Sequence, residues 1–204
     1  MKKQVLALGA LLSLTQVNAQ ESSVLDIVSL EASYGMAVPL SPTENIKAAD
    51  YLSFINFQGA INYKIDDIWG LRASYAYQSF TNKNSSKLGV EYHKFMIEAT
   101  YNILTAINQS DSYTQQKPFE IVAHAGIGGA FAYREIVKQA NKMGNIQIGL
   151  KPMYTLASRI NIFLDGTYVI NFNQAYDVAS NNIYGGTTGS YLTANIGLQL
   201  KLGE

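Results

Sequence analysis

The sequence predicts an all-β protein, an eight-stranded antiparallel up-and-down transmembrane β-barrel. Three observations support this prediction. Apolar and polar residues alternate from Val24 to Leu202, charged residues are sparse at 15% while Tyr occurs 14 times, and an N-terminal segment resembling a secretion signal precedes the alternation. A period of two places successive side chains on opposite faces of a strand. In a membrane-spanning barrel, the apolar face contacts lipid and the polar face lines the lumen.

The N-terminal segment has the three-part layout of a signal peptide. Met1-Lys2-Lys3 is basic, the ten residues Val5–Leu14 are apolar, and Val17-Asn18-Ala19 supplies small residues at a cleavage site. The alternative, a membrane anchor, is disfavoured because ten residues are too short to cross about 30 Å of hydrocarbon as a helix. We therefore expect a signal peptide over 1–19 and one outer-membrane barrel domain over 20–204.

Composition excludes several classes of function. The chain has no Cys, which rules out a disulfide framework and a thiolate metal site. Loss of Lys2 and Lys3 with the signal peptide leaves 13 basic residues against 15 acidic ones, so no nucleic-acid partner is expected. The two histidines do not make a metal site, and we expect neither a metal nor a cofactor.

Eight segments carry the alternation, and the apolar phase of each is expected to face lipid. The predicted strands cover about residues 26–38, 53–64, 69–79, 91–103, 118–134, 145–156, 160–172 and 188–202. From Leu192 to Leu202 every even position is apolar, whereas the odd positions hold Thr, Asn, Gly, Gln and Lys. The apolar face carries almost no charge in any strand, whereas a soluble barrel needs a charged outer surface.

Outward-facing aromatic residues gather towards both ends of the predicted strands. They form two predicted rims, with Tyr63, Trp69, Tyr101, Phe119 and Tyr154 at one and Tyr77, Phe95, Phe131 and Tyr133 at the other. Two aromatic girdles are expected where a barrel meets the lipid headgroups on either side.

The connections predict the orientation of the barrel. An even number of strands puts both termini in the periplasm, so the links 65–68, 104–117 and 157–159 are expected there. The expected extracellular links are about 39–52, 80–90, 135–144 and 173–187. The link 104–117 is long and polar, and both a floppy turn and a contact with a periplasmic partner remain open.

Three segments carry a resemblance to a known family: Gly149-Leu150-Lys151-Pro152-Met153-Tyr154, Asp165-Gly166-Thr167-Tyr168 and Asn171-Phe172-Asn173-Gln174-Ala175-Tyr176-Asp177. With them, the chain resembles the small eight-stranded outer-membrane β-barrels of the OmpA transmembrane-domain and OmpX-like type, within the porin-family barrels. The resemblance covers the predicted mature chain and implies an outer-membrane location in a Gram-negative-type bacterium. OmpA-like proteins often carry a peptidoglycan-binding domain after the barrel, and that activity is not carried over because the sequence stops at Glu204.

Charged residues on the inward phase are the candidate site. The predicted lumen ion-pair network comprises Glu31, Arg72, Glu98, Glu120, Lys151 and Asp165. Lys151 and Asp165 lie symmetrically about Ser158, which predicts a pair across a hairpin. Arg72 and Glu98 lie symmetrically about Ser85 in the same way.

An eight-stranded barrel is just wide enough for side chains to fill, and buried charges must pair. The network is therefore expected to plug the lumen. The alternative is a gated narrow pore or a proton path. Glu98 and Glu120 could also approach each other and share a proton.

The histidines give little support for catalysis. His124 is expected to point inward as a hydrogen-bonding residue, and His93 lies on the lipid-facing phase near the outer rim. Glu91 and Asn84-Ser85-Ser86 are near His93 in sequence, but no His-x-Ser spacing or Asp pair accompanies them. We therefore expect a protein without enzymatic activity.

The predicted function is a structural or surface-contact role in the outer membrane. The alternatives are a narrow porin-like channel for small solutes and an accessory subunit of a larger outer-membrane complex. The expected partners are outer-membrane lipid and a protein that contacts the outer loops, the lipid-facing surface or residues 104–117.

Overall fold

Eight antiparallel strands close into a barrel, which confirms the predicted fold class. The computed structural model describes residues 24–41, 47–108, 118–134, 140–176 and 183–203, so the predicted signal peptide lies outside the described residues. The strands are β1 (Val28–Ser41), β2 (Ser53–Lys64), β3 (Trp69–Asn82), β4 (Ser85–Asn102), β5 (Phe119–Arg134), β6 (Ala140–Ala157), β7 (Ile160–Tyr176) and β8 (Ile183–Lys201). Each strand pairs with its neighbours in sequence, and β1 pairs with β8 to close the ring.

The two ends of the barrel differ in their connections. The turn end carries the links 65–68 and 158–159, the start of β1 and the end of β8. The loop end carries the β3–β4 hairpin and a 3-10 turn at Ala48–Tyr51. The sequence predicts that the turn end faces the periplasm and the loop end faces the cell exterior.

The strands extend further at the loop end than the sequence predicted. β3 and β4 run through the predicted link 80–90 and leave only a turn at 83–84. Phe80 pairs with Val90, and both side chains are buried inside the barrel. The prediction was wrong because the polar run after Phe80 breaks the alternation, although its backbone groups still pair across the hairpin. β6, β7 and β8 likewise extend into the predicted links 135–144 and 173–187.

The predicted link 104–117 begins with a short helix. Helix α1 (Ile103–Asn108) starts at a residue that the sequence assigned to the fourth strand. The Thr105 backbone N–H donates to Asn102 Oδ1 at 3.2 Å, a side-chain bond of the kind that satisfies free donors at the start of a helix. Residues 109–117 lie outside the described part of the chain.

The outer wall of the barrel is apolar. Every strand exposes large apolar side chains, among them Tyr34, Ile61, Leu71, Ile97, Ile127, Ile148, Leu164 and Ile196. Ile97 and Ile127 are each 68% exposed, the reverse of the pattern in a water-soluble protein. This exterior is suited to lipid. Among the described residues, no helix combines the length and the apolarity needed to cross a bilayer.

Aromatic residues lie on this outer wall towards both ends. The rings of Trp69 and Tyr101 pack 4.8 Å apart at the turn end. Tyr63, Phe119 and Tyr154 are exposed at the same end. Tyr77, Phe131 and Tyr133 lie on the stretches of β3 and β5 that lead to the loop end, whereas Phe95, predicted for the same rim, lies near the middle of β4 opposite Tyr75 and Gly129.

Asp66 organises the turn between β2 and β3. The backbone N–H groups of Trp69 and Ile68 each donate to Asp66 Oδ1 at 2.7 Å. These hydrogen bonds lower the pKa of the Asp66 carboxyl below its usual value of 3.8, and the bond from Trp69 has the larger effect. The carboxylate therefore fixes the turn at neutral pH.

A charge on the outer wall should destabilise the barrel according to its depth in the membrane. We expect Leu164→Arg, four residues further into the apolar outer wall, to lower the free energy of unfolding by about 2–4 kcal/mol, and Ile160→Arg, at the turn-end start of β7, by about 0–1 kcal/mol. The measurement is equilibrium denaturation of the barrel in lipid vesicles. Equal effects of both substitutions would contradict a membrane-spanning β7.

Candidate functional site in the barrel lumen

Inward-facing residues in the turn-end half form a charged layer, named here the lumen network. The alternation of each strand turns these side chains into the barrel. The members are Glu31 of β1, Arg72 of β3, Glu98 of β4, His124 of β5, Lys151 of β6 and Asp165 of β7, and all of them are buried. Five of the six are among the residues for which the sequence predicts lumenal charge.

Arg72 lies at the centre of the network and is 1% exposed. Its Nε donates to Glu31 Oε2 at 3.1 Å, and its Nη1 donates to Glu98 Oε1 at 2.8 Å. Its Nη2 lies 3.6 Å from Asp165 Oδ2. A planar guanidinium has five N–H donors, so one side chain can connect carboxylates from three strands.

Arg72 and Glu98 are also backbone partners, as their symmetry about Ser85 predicts. The second predicted pair is different. Leu150 pairs with Gly166, which is the hairpin register that symmetry about Ser158 requires. The Lys151 ammonium, however, donates to Glu31 across the lumen.

Asp165 has other partners as well. His124 Nε2 lies 3.2 Å from Asp165 Oδ1, and Thr167 Oγ1 donates to the same oxygen at 2.7 Å. The predicted Lys151–Asp165 pair is therefore replaced by two other contacts, Lys151 with Glu31 and His124 with Asp165. Lys151 can reach Glu31 because a Lys side chain is long enough to extend beyond the neighbouring strand.

His124 joins two carboxylates. Its Nδ1 lies 2.6 Å from Glu98 Oε2, and its Nε2 faces Asp165 Oδ1. Only the imidazolium form donates from both nitrogens. The sequence predicts that His124 points inward and forms hydrogen bonds, but it does not place His124 among the ion pairs. The inward acidic residues of the other strands were the signal that could have placed it there.

Glycine residues make room for the network. Gly149 is the backbone partner of His124, and a Cβ added there would collide with the His124 ring. Gly126 is the partner of Glu98, and its added Cβ would lie 2.7 Å from Glu98 Cγ. These two positions lack a side chain because a bulky network member occupies the space beside each.

Glu120 does not join the network. Its Oε2 accepts a hydrogen bond from Asn102 Nδ2 at 3.2 Å near the turn end. Glu98 instead bonds to Arg72, to His124 and to the Ser74 hydroxyl, which donates at 2.8 Å. The structure thus does not bring Glu98 and Glu120 together as a proton-sharing pair, because Glu120 lies at the start of β5 and Glu98 lies deeper in the barrel.

The loop-end half of the lumen contains an apolar cluster that the alternation did not predict, beside buried amides such as Gln78, Asn145 and Asn171. Its buried residues include Phe80, Val90, Tyr92, Met143, Val169 and Tyr191. The Phe80 ring packs edge-on against Tyr92 and Tyr191, each with ring centroids 5.6 Å apart. Apolar residues at inward positions, such as Val169 and Tyr191, were the available signal.

Lys94 lies between the apolar cluster and the lumen network. Its buried ammonium donates to Gln147 Oε1 at 2.6 Å and lies 5.5 Å from the centre of the Tyr191 ring. In the part of the chain that the structure describes, no group of three or more His, Cys, Asp or Glu residues is arranged to hold a metal ion.

The network predicts a large loss of stability when its central cation is removed. We expect Arg72→Met to lower the free energy of unfolding by about 3–5 kcal/mol, because buried carboxylates lose their partner. The matched control is Lys64→Met, which removes an exposed pair with Asp67 and should cost less than about 1 kcal/mol. Denaturant titration in vesicles measures both, and equal small losses would contradict a stabilising network.

The space beside His124 can be tested separately. We expect Gly149→Ala to destabilise the barrel by about 1–3 kcal/mol, because the new methyl group displaces the imidazole. Gly166→Ala is the control, since an added Cβ there meets no heavy atom within 4 Å, and its effect should stay within about 0.5 kcal/mol. The same titration measures both, and a neutral Gly149→Ala would show that His124 has room to move.

No protein-family model matches the sequence, and no curated protein matches it either. Solved structures do match. Neisserial surface protein A is 15% identical with a TM-score of 0.50, over 85% of this chain and 95% of that one. The N-terminal β-barrel domain of Pseudomonas aeruginosa OprF is 14% identical with a TM-score of 0.48, over 86% and 96%. At this identity the likeness to the Neisserial protein concerns the fold alone, and it confirms the predicted resemblance at that level. The chain has the fold of the small eight-stranded barrels, and its apolar exterior is suited to the predicted outer-membrane location.

Proposed function

We propose that this chain is a non-enzymatic outer-membrane barrel whose lumen is closed by its own side chains and whose role is structural or one of surface contact. The observation that carries the proposal is the lumen network, in which Arg72 connects carboxylates from three strands while it is 1% exposed. A closed barrel gives the outer membrane a rigid element and supports the segments at its loop end.

The charges of the network balance internally. Its three carboxylates face the guanidinium of Arg72, the ammonium of Lys151 and His124, whose imidazolium form supplies the third positive charge. A solute crossing the lumen would have to separate these pairs, and a buried charge without a partner is costly. The pairing therefore favours a closed lumen over a narrow porin-like channel.

The apolar cluster adds a second barrier to ions. Phe80, Tyr92 and Tyr191 pack against one another on the inward side of β3, β4 and β8. The rings occupy the lumen next to buried amides such as Gln78 and Asn171, so an ion passing this level would have to displace packed side chains. The two layers differ in chemistry, so they oppose both charged and strongly hydrated solutes.

The candidate catalytic groups already have structural partners. The His124 ring nitrogens face Glu98 and Asp165. His93 Nδ1 is hydrogen-bonded to the Tyr75 hydroxyl at 2.8 Å on the outer wall. Because His124 is buried within the lumen network, no space for a substrate adjoins its ring, which supports a role without enzymatic activity.

A contact with a protein partner at the turn end is a second candidate. Ile107 of α1 is 69% exposed, an apolar side chain on a helix within the predicted link 104–117. This observation supports the alternative to a floppy turn, in which that link contacts a periplasmic partner, and it fits an accessory subunit of a larger complex.

Conductance tests the closed lumen. In a planar bilayer we expect the folded protein and the exterior variant Lys64→Ala to show no steady current steps, because ion pairs and apolar side chains fill the lumen. Circular dichroism of the same samples verifies that the barrel is folded. Steady steps in the unaltered protein that change in Arg72→Ala but not in Lys64→Ala would overturn the proposal and support the narrow channel.

A further inference from the structure

Polar and titratable side chains interrupt the apolar outer wall towards the loop end. We name them the outer-wall cluster: Tyr75 and Tyr77 of β3, Glu91 and His93 of β4, and Tyr133 of β5. They lie on the outward phase of three adjacent strands, on which Tyr77 pairs with His93 and Glu91 pairs with Tyr133. None of them belongs to the lumen network.

Hydrogen bonds and ring contacts hold the cluster together. The Tyr75 hydroxyl lies 2.8 Å from His93 Nδ1, and the Tyr77 hydroxyl donates to Glu91 Oε1 at 2.9 Å. The His93 ring packs 5.2 Å from Tyr77 and edge-on at 5.6 Å from Tyr133. These contacts use one ring nitrogen of His93 and one carboxylate oxygen of Glu91. When Tyr75 donates to Nδ1, Nε2 carries the proton and is a donor, while Glu91 Oε2 is an acceptor.

An apolar groove adjoins the cluster on its turn-end side. It has a volume of about 870 Å³, and its walls include Tyr75, Phe95, Ile97 and Ile127. The groove exists because Gly59 and Ala73 are small while their neighbours on the adjacent strands are large. Tyr75 belongs both to the groove and to the cluster, so the two surfaces are continuous along the outer wall.

We propose that the groove and the outer-wall cluster together bind one lipid molecule, a phosphorylated and acylated sugar of the outer leaflet. Its acyl chain would lie in the apolar groove, and its sugar would contact the tyrosine rings. His93 Nε2 would donate to the phosphate, and Glu91 Oε2 would accept from a sugar hydroxyl.

The complementarity of this surface to such a lipid carries the proposal. Apolar side chains alone would suit any acyl chain, but the cluster offers a donor and an acceptor side by side at the loop-end edge of the groove. A phosphorylated sugar presents both a strong acceptor and hydroxyl donors, so it matches both groups. The predicted orientation places this edge at the outer headgroup region, where Phe131 also lies on the wall as the backbone partner of His93.

Native mass spectrometry of the full barrel in detergent tests the site. The probes are lipid A, an acylated glucosamine disaccharide bisphosphate, and phosphatidylglycerol as the phospholipid comparison. We expect one lipid A per barrel to be retained at a concentration several-fold below that needed for phosphatidylglycerol. His93→Phe and Glu91→Gln should each weaken lipid A retention by roughly three- to tenfold, the size expected from the loss of one hydrogen bond.

The groove has a matched pair of glycine variants. Gly59→Leu places a side chain in the groove, where its Cβ meets only the Glu31 backbone oxygen at 3.8 Å, and it should weaken lipid A retention by a similar factor. Gly166→Leu adds the same side chain on the outward face of β7, where space is open, and should leave retention unchanged.

Three outcomes would overturn the proposal. Equal retention of phosphatidylglycerol would show that the wall binds acyl chains without reading the headgroup. Unchanged retention in both His93→Phe and Gly59→Leu would place any bound lipid elsewhere. Recovery of the barrel as a lipid-free dimer that Gly59→Leu disrupts would assign the groove to a second copy of the chain.

Discussion

Closure of the backbone hydrogen-bond ring is the constraint on which the rest of this structure depends. In the hydrocarbon region no water is available to satisfy backbone groups, so strands can cross only as a closed barrel. Here β1 pairs with β8 over most of its length and completes the ring. Closure then sorts side chains into two environments, because alternate residues of every strand must face either lipid or the lumen. The apolar exterior and the crowded interior are both consequences of this division.

With eight strands, the interior is only wide enough for side chains, which makes charged residues there depend on one another. Three of these charged residues depend on Arg72, because its guanidinium contacts Glu31, Glu98 and Asp165. The glycines opposite His124 and Glu98 follow from the same shortage of space. The outer wall faces lipid rather than a crowded lumen, so its side chains meet a different requirement. It must interact favourably with lipid, and among the described residues the outer-wall cluster offers hydrogen-bonding groups between apolar side chains.

Much of the fold could be predicted because it depends on a local pattern. The second predicted strand, 53–64, has the bounds of β2, since the alternation of apolar and polar residues there ends at a polar turn. The Arg72–Glu98 backbone pair was predicted from symmetry about Ser85, and the structure has this pair because a register shift between Thr81 and Asn82 follows the turn at 83–84. The loop-end hairpin of β3 and β4 was missed because strand pairing continues through residues whose hydropathy no longer alternates. The alternation places Tyr191 on the lumenal phase, but its packing against Phe80 and Tyr92 is decided only once β3, β4 and β8 are brought together.

The sequence by itself determined the all-β class, the number of strands, the phase that faces lipid and most of the charged residues of the lumen. These properties follow from a period of two and from the exclusion of unpaired charge from hydrocarbon, both of which act along the chain. Only the tertiary structure decided the partners. Lys151 contacts Glu31 rather than Asp165, His124 joins two carboxylates, and Glu120 remains apart near the turn end. These partners are determined by the distances between side chains across the closed lumen. Strands that are far apart in sequence come within contact distance only when the barrel closes.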